Sequence, residues 1–145
     1  MTPNSARATA LVRALRAGLE GDAATLRELY TDDVKAWTPA LAAASLPELL
    51  AELDRRDQAF SPVSLDVSPL DVGGDHACAE WTVTLTHTGP LELAGGETLE
   101  PTGTTVTLNG TTVAEFRGDR ICSLRQYWDE LAVFDQIGLL APDGG

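Results

Sequence analysis

A chain of 145 residues is long enough to bury one core and too short for two, and 43% hydrophobic with 22% charged residues is an ordinary globular composition. Ten Lys and Arg stand against 22 Asp and Glu, a net charge of -12 that repels phosphate backbones and anionic membrane surfaces and argues against both as partners. The N-terminal Met-Thr-Pro-Asn-Ser-Ala-Arg lacks the apolar core of a signal peptide and no run of about 18 apolar residues exists, so the expected location is cytoplasmic.

Ser5 is a plausible N-cap, and Ala8, Leu11, Val12, Leu15 and Leu19 fall at helical spacing, which predicts a helix over 6–19. Asp22 caps a second, shorter helix through Leu26, Leu29 and Tyr30. A short extended piece, Val34 to Trp37, ends before Pro39. Ser45-Leu-Pro-Glu48 has the form of a capping box and opens a third helix over 46–58, with Leu46, Leu49, Leu50 and Leu53 on one face.

Beyond Phe60 the period changes to two. Val63, Leu65 and Val67 alternate until Pro69, as at an edge or bulge, and Leu70 and Val72 lead to the turn Gly73-Gly74-Asp75. A long strand over 76–88 puts Ala77, Ala79, Trp81, Val83, Leu85 and His87 on one face and mainly threonines on the other. Residues 89–101, rich in Gly, Pro and Glu, are expected to form a long acidic loop without regular structure, a flap carrying Leu91, Leu93 and Leu99 over a pocket mouth. Cys78 and Cys122 fit no metal spacing and read as buried free thiols in strands.

A strand over 104–116 and the turn signal Gly118-Asp119 lead into a last strand from Ile121 to Trp128. Counting from that turn pairs Phe116 with Ile121, Thr112 with Arg125, Gly110 with Tyr127 and Leu108 with Asp129. One face then carries Leu108, Phe116, Ile121, Arg125, Tyr127 and Asp129. The other carries Thr105, Thr107, Asn109, Thr111, Val113, Cys122, Leu124 and Gln126, a threonine-rich face suited to a two-fold homodimer through the sheet. At Asp129 the period returns to helical through Leu131, Phe134 and Ile137. Asp129 is either an N-cap facing water or an acid pointing into an apolar cavity. His87 is either a pocket histidine or a loop residue bonded locally. Helices followed by strands make a single α+β domain over 1–145, with three helices on one face of a strongly curved antiparallel sheet.

Three ordered stretches, Thr86-His-Thr-Gly89, Pro101-Thr-Gly103 with Val106, and Gln126-Tyr-Trp-Asp-Glu-Leu131 with Gln136-Ile-Gly-Leu139, resemble the signature of SnoaL-like polyketide and ester cyclases over about 34–140. That family lies in the nuclear-transport-factor-2-like superfamily, so the resemblance implies a cone-shaped α+β barrel whose pocket opens between sheet and helices. It also implies a cofactor-free, metal-free cyclase or isomerase in which Asp129 moves a proton on a carbon flanked by carbonyls of a hydrophobic, polyketide-like ligand, with His87 the second polar group. Ligand contacts are expected from Trp37, Trp81, Leu108, Phe116, Tyr127 and Phe134, and Arg125 is placed to anchor a polar ligand group. One departure is the stretch Asp33-Val-Lys-Ala-Trp-Thr-Pro39, where relatives often have Asp-Val-x-x-His-x-Pro. A pocket that exchanges polarity for aromatic surface suits the alternative reading, a non-catalytic small-molecule-binding protein on the same fold. An interaction protein whose sheet serves only to dimerise is the third.

Overall fold

The computed structural model describes residues 3–70, 73–93 and 95–138, with side chains from residue 6 onward. The expectations for Val72, Leu139 and Leu140, and for the Ser5 side chain, lie outside the described residues.

Helix α1 (Pro3–Glu20) begins earlier than its apolar stripe, because proline at the first helical position loses no hydrogen bond and has its φ preset. Leu11, Ala14 and Ala17 are its buried face. Asp22 caps α2 (Ala23–Leu29), accepting from the Thr25 amide at 3.2 Å and the Thr25 hydroxyl at 2.6 Å. These bonds, the hydroxyl first, hold the Asp22 carboxyl below its ordinary value. Ser45 caps α3 (Leu46–Ala59) through the Glu48 amide at 3.3 Å, while the Glu48 carboxylate accepts from the Ala44 amide at 2.6 Å, one residue earlier than the usual reciprocal partner. A cap of this kind contributes about 1 kcal/mol.

The strands are β1 (Tyr30–Trp37), β2 (Ala42–Ala43), β3 (Phe60–Leu70), β4 (His76–His87), β5 (Leu91–Glu92), β6 (Thr98–Leu99), β7 (Thr105–Arg117) and β8 (Arg120–Trp128). Six of them form one sheet in the order β2-β1-β8-β7-β4-β3. It is mixed rather than wholly antiparallel, since β1 runs parallel to β8 after the crossover through α3 and the β3, β4 and β7 strands. The edge position of β3 explains how it carries Pro62 and Pro69. Residues 89–101 are not structureless: β5 and β6 pair there as a small hairpin, with Leu91 and Leu99 packed on the core.

The two-residue turn after β7 is as the sequence predicts, with Arg117 opposite Arg120 and Phe116 opposite Ile121. The next pair is Glu115 with Ser123, so Cys122 is an extra residue, a bulge on β8. Every later pair is displaced by one: Val113 meets Arg125, Thr112 meets Gln126, Thr111 meets Tyr127 and Gly110 meets Trp128. A one-residue slip exchanges the faces of a strand. Leu124, Gln126 and Trp128 therefore turn inward, and Arg125 and Tyr127 turn out.

Helix α4 (Glu130–Gln136) crosses the end of the sheet where β8 has stopped, leaving Thr105 to Asn109 of β7 paired only with β4. There the Gln136 amide takes the place of a strand. Its Oε1 accepts from the Thr107 N–H and its Nε2 donates to the Thr107 carbonyl, both at 2.9 Å.

Candidate functional site

The concave face of the sheet and the helices enclose two apolar clusters. One, around Leu11, Leu26, Val34, Phe116 and Ile121, is the larger core. The other, around Trp81, Val83, Leu108 and Val133, contains an apolar pocket of about 100 Å3. Its roof is Leu15 and Leu19 of α1, and its floor is Leu65, Val83, Leu85 and Leu108 of the sheet. Trp81 and Trp128 wall one side.

Gly110 makes that wall possible. It lies opposite Trp81 on one neighbouring strand and Trp128 on the other, and a Cβ at this position would sit 2.3 Å from the Trp81 ring. The two indoles meet edge to face, with centroids 6.0 Å apart. Both indole N–H groups are committed: Trp81 donates to the buried Thr112 hydroxyl at 2.9 Å and Trp128 to the Glu130 carboxylate at 2.7 Å. Gln126 Nε2 also donates to Thr112 Oγ1, at 3.1 Å. Of the residues that line the pocket, Arg56 and Gln126 supply the polar chemistry, and no carboxylate, histidine or thiol is among them.

Asp129 does not point into this pocket. It is exposed and is the N-cap of α4, its Oδ1 accepting from the amides of Leu131 at 3.0 Å and Ala132 at 3.3 Å. The physical reason is the Cys122 bulge, which reverses the parity on which the inward direction was inferred. Asp129→Ala is expected to lower stability by about 1 kcal/mol in urea unfolding, as for a lost cap, and Asp129→Asn to be nearly silent. A large loss of turnover on Asp129→Asn, with binding intact, would instead restore a catalytic role.

The same bulge removes two further expected ligand contacts. Tyr127 is 48% exposed on the outer face and packs against Trp37, itself 46% exposed, with centroids 5.5 Å apart. Arg125 is exposed beside Trp37, its register partner on β1. Phe116 is buried, but in the larger core cluster, beneath the Arg7 guanidinium at 5.6 Å. Phe134 packs against the pocket cluster without lining the pocket, while Trp81 and Leu108 line it. Arg56 and Gln126, which also line it, carry no such expectation in the sequence.

His87 is fully buried on the inward face, packed at 5.3 Å on Phe60, and does not line the pocket. The Thr102 amide donates to its Nδ1 at 3.2 Å and the Thr102 hydroxyl lies 3.0 Å from the same nitrogen, contacts that favour the tautomer with its hydrogen on Nε2. Nε2 is buried with no partner among the described residues. The backbone closes the same clasp: the His87 amide donates to the Thr104 carbonyl and the Gly103 amide to the His87 carbonyl, both at 2.9 Å. Thr86-His-Thr-Gly89 and Pro101-Thr-Gly103 are thus joined in space. Asp33 likewise has a structural partner, the Arg117 guanidinium at 3.1 Å, whose hydrogen bonds hold its carboxyl below the ordinary value.

Outside the pocket, α3 and the β5–β6 hairpin border an open groove of about 800 Å3. The hairpin leucines Leu91 and Leu93 line this groove rather than the inner pocket. Among the described residues no group of His, Cys, Asp and Glu could hold a metal ion, and no helix is long and apolar enough to cross a membrane.

A mixed sheet with helices over one face and an apolar pocket between them defines an α+β fold. The family model of the SnoaL-like domain matches residues 8–124, and the chain belongs to that family. A search of curated proteins finds no match. Among solved structures, TsrD from Streptomyces laurentii is 20% identical with a TM-score of 0.78, covering 97% of this chain and 100% of its own. A candidate polyketide cyclase from Xanthomonas campestris is 19% identical with a TM-score of 0.79, covering 93% and 99%. An epoxide hydrolase from M. tuberculosis, described as LEH-like, is 18% identical with a TM-score of 0.69, covering 92% and 90%. At these identities the likeness is one of fold, the cone-shaped architecture of the nuclear-transport-factor-2-like superfamily.

Proposed function

We propose that this SnoaL-like chain is a small-molecule-binding protein whose pocket takes the apolar part of an uncharged or weakly polar ligand without transforming it. The observation that carries the reading is the pocket's chemistry: two indoles and a leucine-rich floor, with an arginine and an amide but no acid or base. Acid/base catalysis needs a titratable group within reach of the reacting carbon, and Asp129, the group the resemblance offers, is engaged in capping α4.

Because Trp81 and Trp128 wall the pocket, a ligand that enters it is expected to change tryptophan fluorescence. The experiment is a panel of uncharged mono- and bicyclic carbonyl compounds, followed by fluorescence and by thermal stabilisation. A ligand at about 100 times its Kd should stabilise the fold by about 2.7 kcal/mol. Val83→Phe, which fills the floor, should weaken binding by about tenfold or more. Absence of any stabilising compound in the panel, or binding untouched by Val83→Phe, sinks the proposal.

A second reading, a cofactor-free enzyme of the cyclase or isomerase type acting on a polyketide-like carbonyl compound, is favoured by one observation. The Nε2 of His87 is buried without a partner among the described residues, and in the tautomer that Thr102 favours it would donate to a carbonyl or enolate oxygen that reached it. His87→Asn keeps an acceptor for the Thr102 amide and removes Nε2. Turnover of a bound compound that falls about a hundredfold in this variant, with binding retained, would establish the enzyme. Without turnover in the native protein, the binding reading stands.

We further propose a two-fold homodimer through the outer sheet face. That face pairs Thr82 with Asn109, Thr84 with Thr107 and Thr86 with Thr105 across β4 and β7, and continues to the exposed Tyr127 and Trp37. The bulge takes Leu124 and Gln126 off this face. Sedimentation at micromolar concentration is expected to show twice the mass of the chain, and Tyr127→Glu to return it to a monomer. A wild-type protein sedimenting only at 15.3 kDa would exclude the dimer.

A further inference from the structure

Among the described residues, Arg56 is the one side chain that lines both the inner pocket and the outer groove. Its guanidinium is held from two directions. Nη2 donates to the Gly18 carbonyl in the last turn of α1 at 2.6 Å and to Asp57 Oδ1 at 2.8 Å, and Nε donates to the same carboxylate oxygen at 3.2 Å. Nη1 makes no hydrogen bond among the described residues, and the side chain keeps 30% of its surface exposed. A planar donor group fixed at one end and open at the other is preorganised to read an acceptor atom.

Size and charge narrow what that acceptor belongs to. An inner pocket of about 100 Å3 holds one small ring or a branched alkyl group, so a larger molecule must run past Arg56 into the groove of about 800 Å3. The positive charge of Arg56 is already matched by Asp57, and that of Arg55 by Glu52 at 3.4 Å. Asp54 and Glu92 on the groove wall add negative charge, in a chain of net charge -12. An anion arriving there meets a repelling field, whereas a neutral oxygen loses little on desolvation and gains a charge-assisted hydrogen bond.

We propose that Arg56 is the specificity-determining residue of a two-compartment site, donating from Nη1 to an uncharged acceptor oxygen of a ligand whose apolar end fills the inner pocket, and that the acidic groove rejects the corresponding anion. This rests on the small-molecule-binding reading above. The test uses three matched probes with one phenyl ring: 4-phenylbutan-2-one, butylbenzene and 3-phenylpropanoate, titrated against the native protein and Arg56→Met. In the native protein the ketone should bind about fivefold more tightly than the hydrocarbon and about tenfold more tightly than the carboxylate. In Arg56→Met the preference for the ketone over the hydrocarbon should disappear, the comparison being made between the two probes within the variant.

Arg56 also ties α1 to α3, so the variant can fail to fold. The guanidinium resonances of Arg56 in 15N-labelled native protein give a second measurement, and they should move on adding the ketone and not on adding the hydrocarbon. Equal binding of ketone and hydrocarbon, tighter binding of the carboxylate, or unmoved resonances would each overturn the role of Arg56 while leaving a binding pocket. Failure of all three probes to bind would overturn that role and the binding reading together.

Discussion

Replacing Gly89 by alanine is expected to lower the thermal midpoint by roughly 10 °C, the reverse of the small stabilisation that this exchange gives where the backbone is free. Gly89 follows the His87 clasp and donates its amide to the Ala59 carbonyl at the end of α3 at 3.0 Å, as does Thr88. At that closeness there is no room for a side chain: a Cβ would lie 1.8 Å from the Gln58 carbonyl oxygen and 2.9 Å from its carbon. Both are backbone atoms of a helix, so nothing flexible can yield. Relief requires parting β4 from α3, at a cost of about 3 kcal/mol, upward of the usual range for overpacking. For a chain of this size each kcal/mol is worth roughly 3 to 4 °C. The internal control is Gly95→Ala, where the added Cβ meets nothing within 4 Å and the change should stay within about 0.5 kcal/mol. Equal midpoints for the two variants would mean that the α3–β4 contact is looser than described.

Thr112→Val is expected to cost about 3 kcal/mol and to lower ligand affinity at the same time. Valine matches threonine in shape, so packing is preserved and the loss is one of polarity. Thr112 has no exposed surface, and its hydroxyl accepts from the Trp81 indole and from the Gln126 amide. Without it, two donors in an apolar wall lose their acceptor, at about 1 to 3 kcal/mol each where water cannot replace it. Trp81 and Gln126 are both pocket residues, so the loss of their anchor should also broaden the pocket's side-chain resonances. Chemical denaturation and ligand titration on the same variant check both parts. Thr112→Ser, which keeps the hydroxyl, should restore affinity while losing about 1 kcal/mol for the missing methyl. A Thr112→Val protein as stable as Thr112→Ser would show that the two donors find other acceptors.

The helices were legible because their signals are local. Asp22 and Ser45 announce caps within three residues of the groups they bind, and the leucines of α1 and α3 keep one period throughout. The inward faces of β4 and β7 followed from simple alternation, which puts Trp81 and Leu108 on the side where both are buried. The site failed on β8, where one residue decides everything after it. Ile121 and Leu124 are both buried, at 0% and 5% exposure, yet they sit on opposite parities of an ideal strand. Two apolar residues three apart in a strand that pairs on both sides are the trace a bulge leaves in sequence, and alternation counted from the turn passed over it. From there the error propagated to Arg125, Tyr127 and Asp129 as a block. The mixed sheet and the pocket role of Arg56 had no comparable signal, because they arise from contacts between α1, α3 and strands distant in the chain.

The side-chain amide of Gln136 has a consequence for how this protein keeps strands of other molecules from adding to its sheet edge. Where β8 ends, β7 would offer a row of open backbone groups, the template on which strands from other molecules add in aggregates and fibrils. A glutamine carries one donor and one acceptor at the spacing of a peptide group, and here it is presented by a helix to Thr107. The helix thereby acts as a stopper that ends the hydrogen-bonded ladder with a counterfeit residue, one that can occupy the edge without offering a new edge behind it.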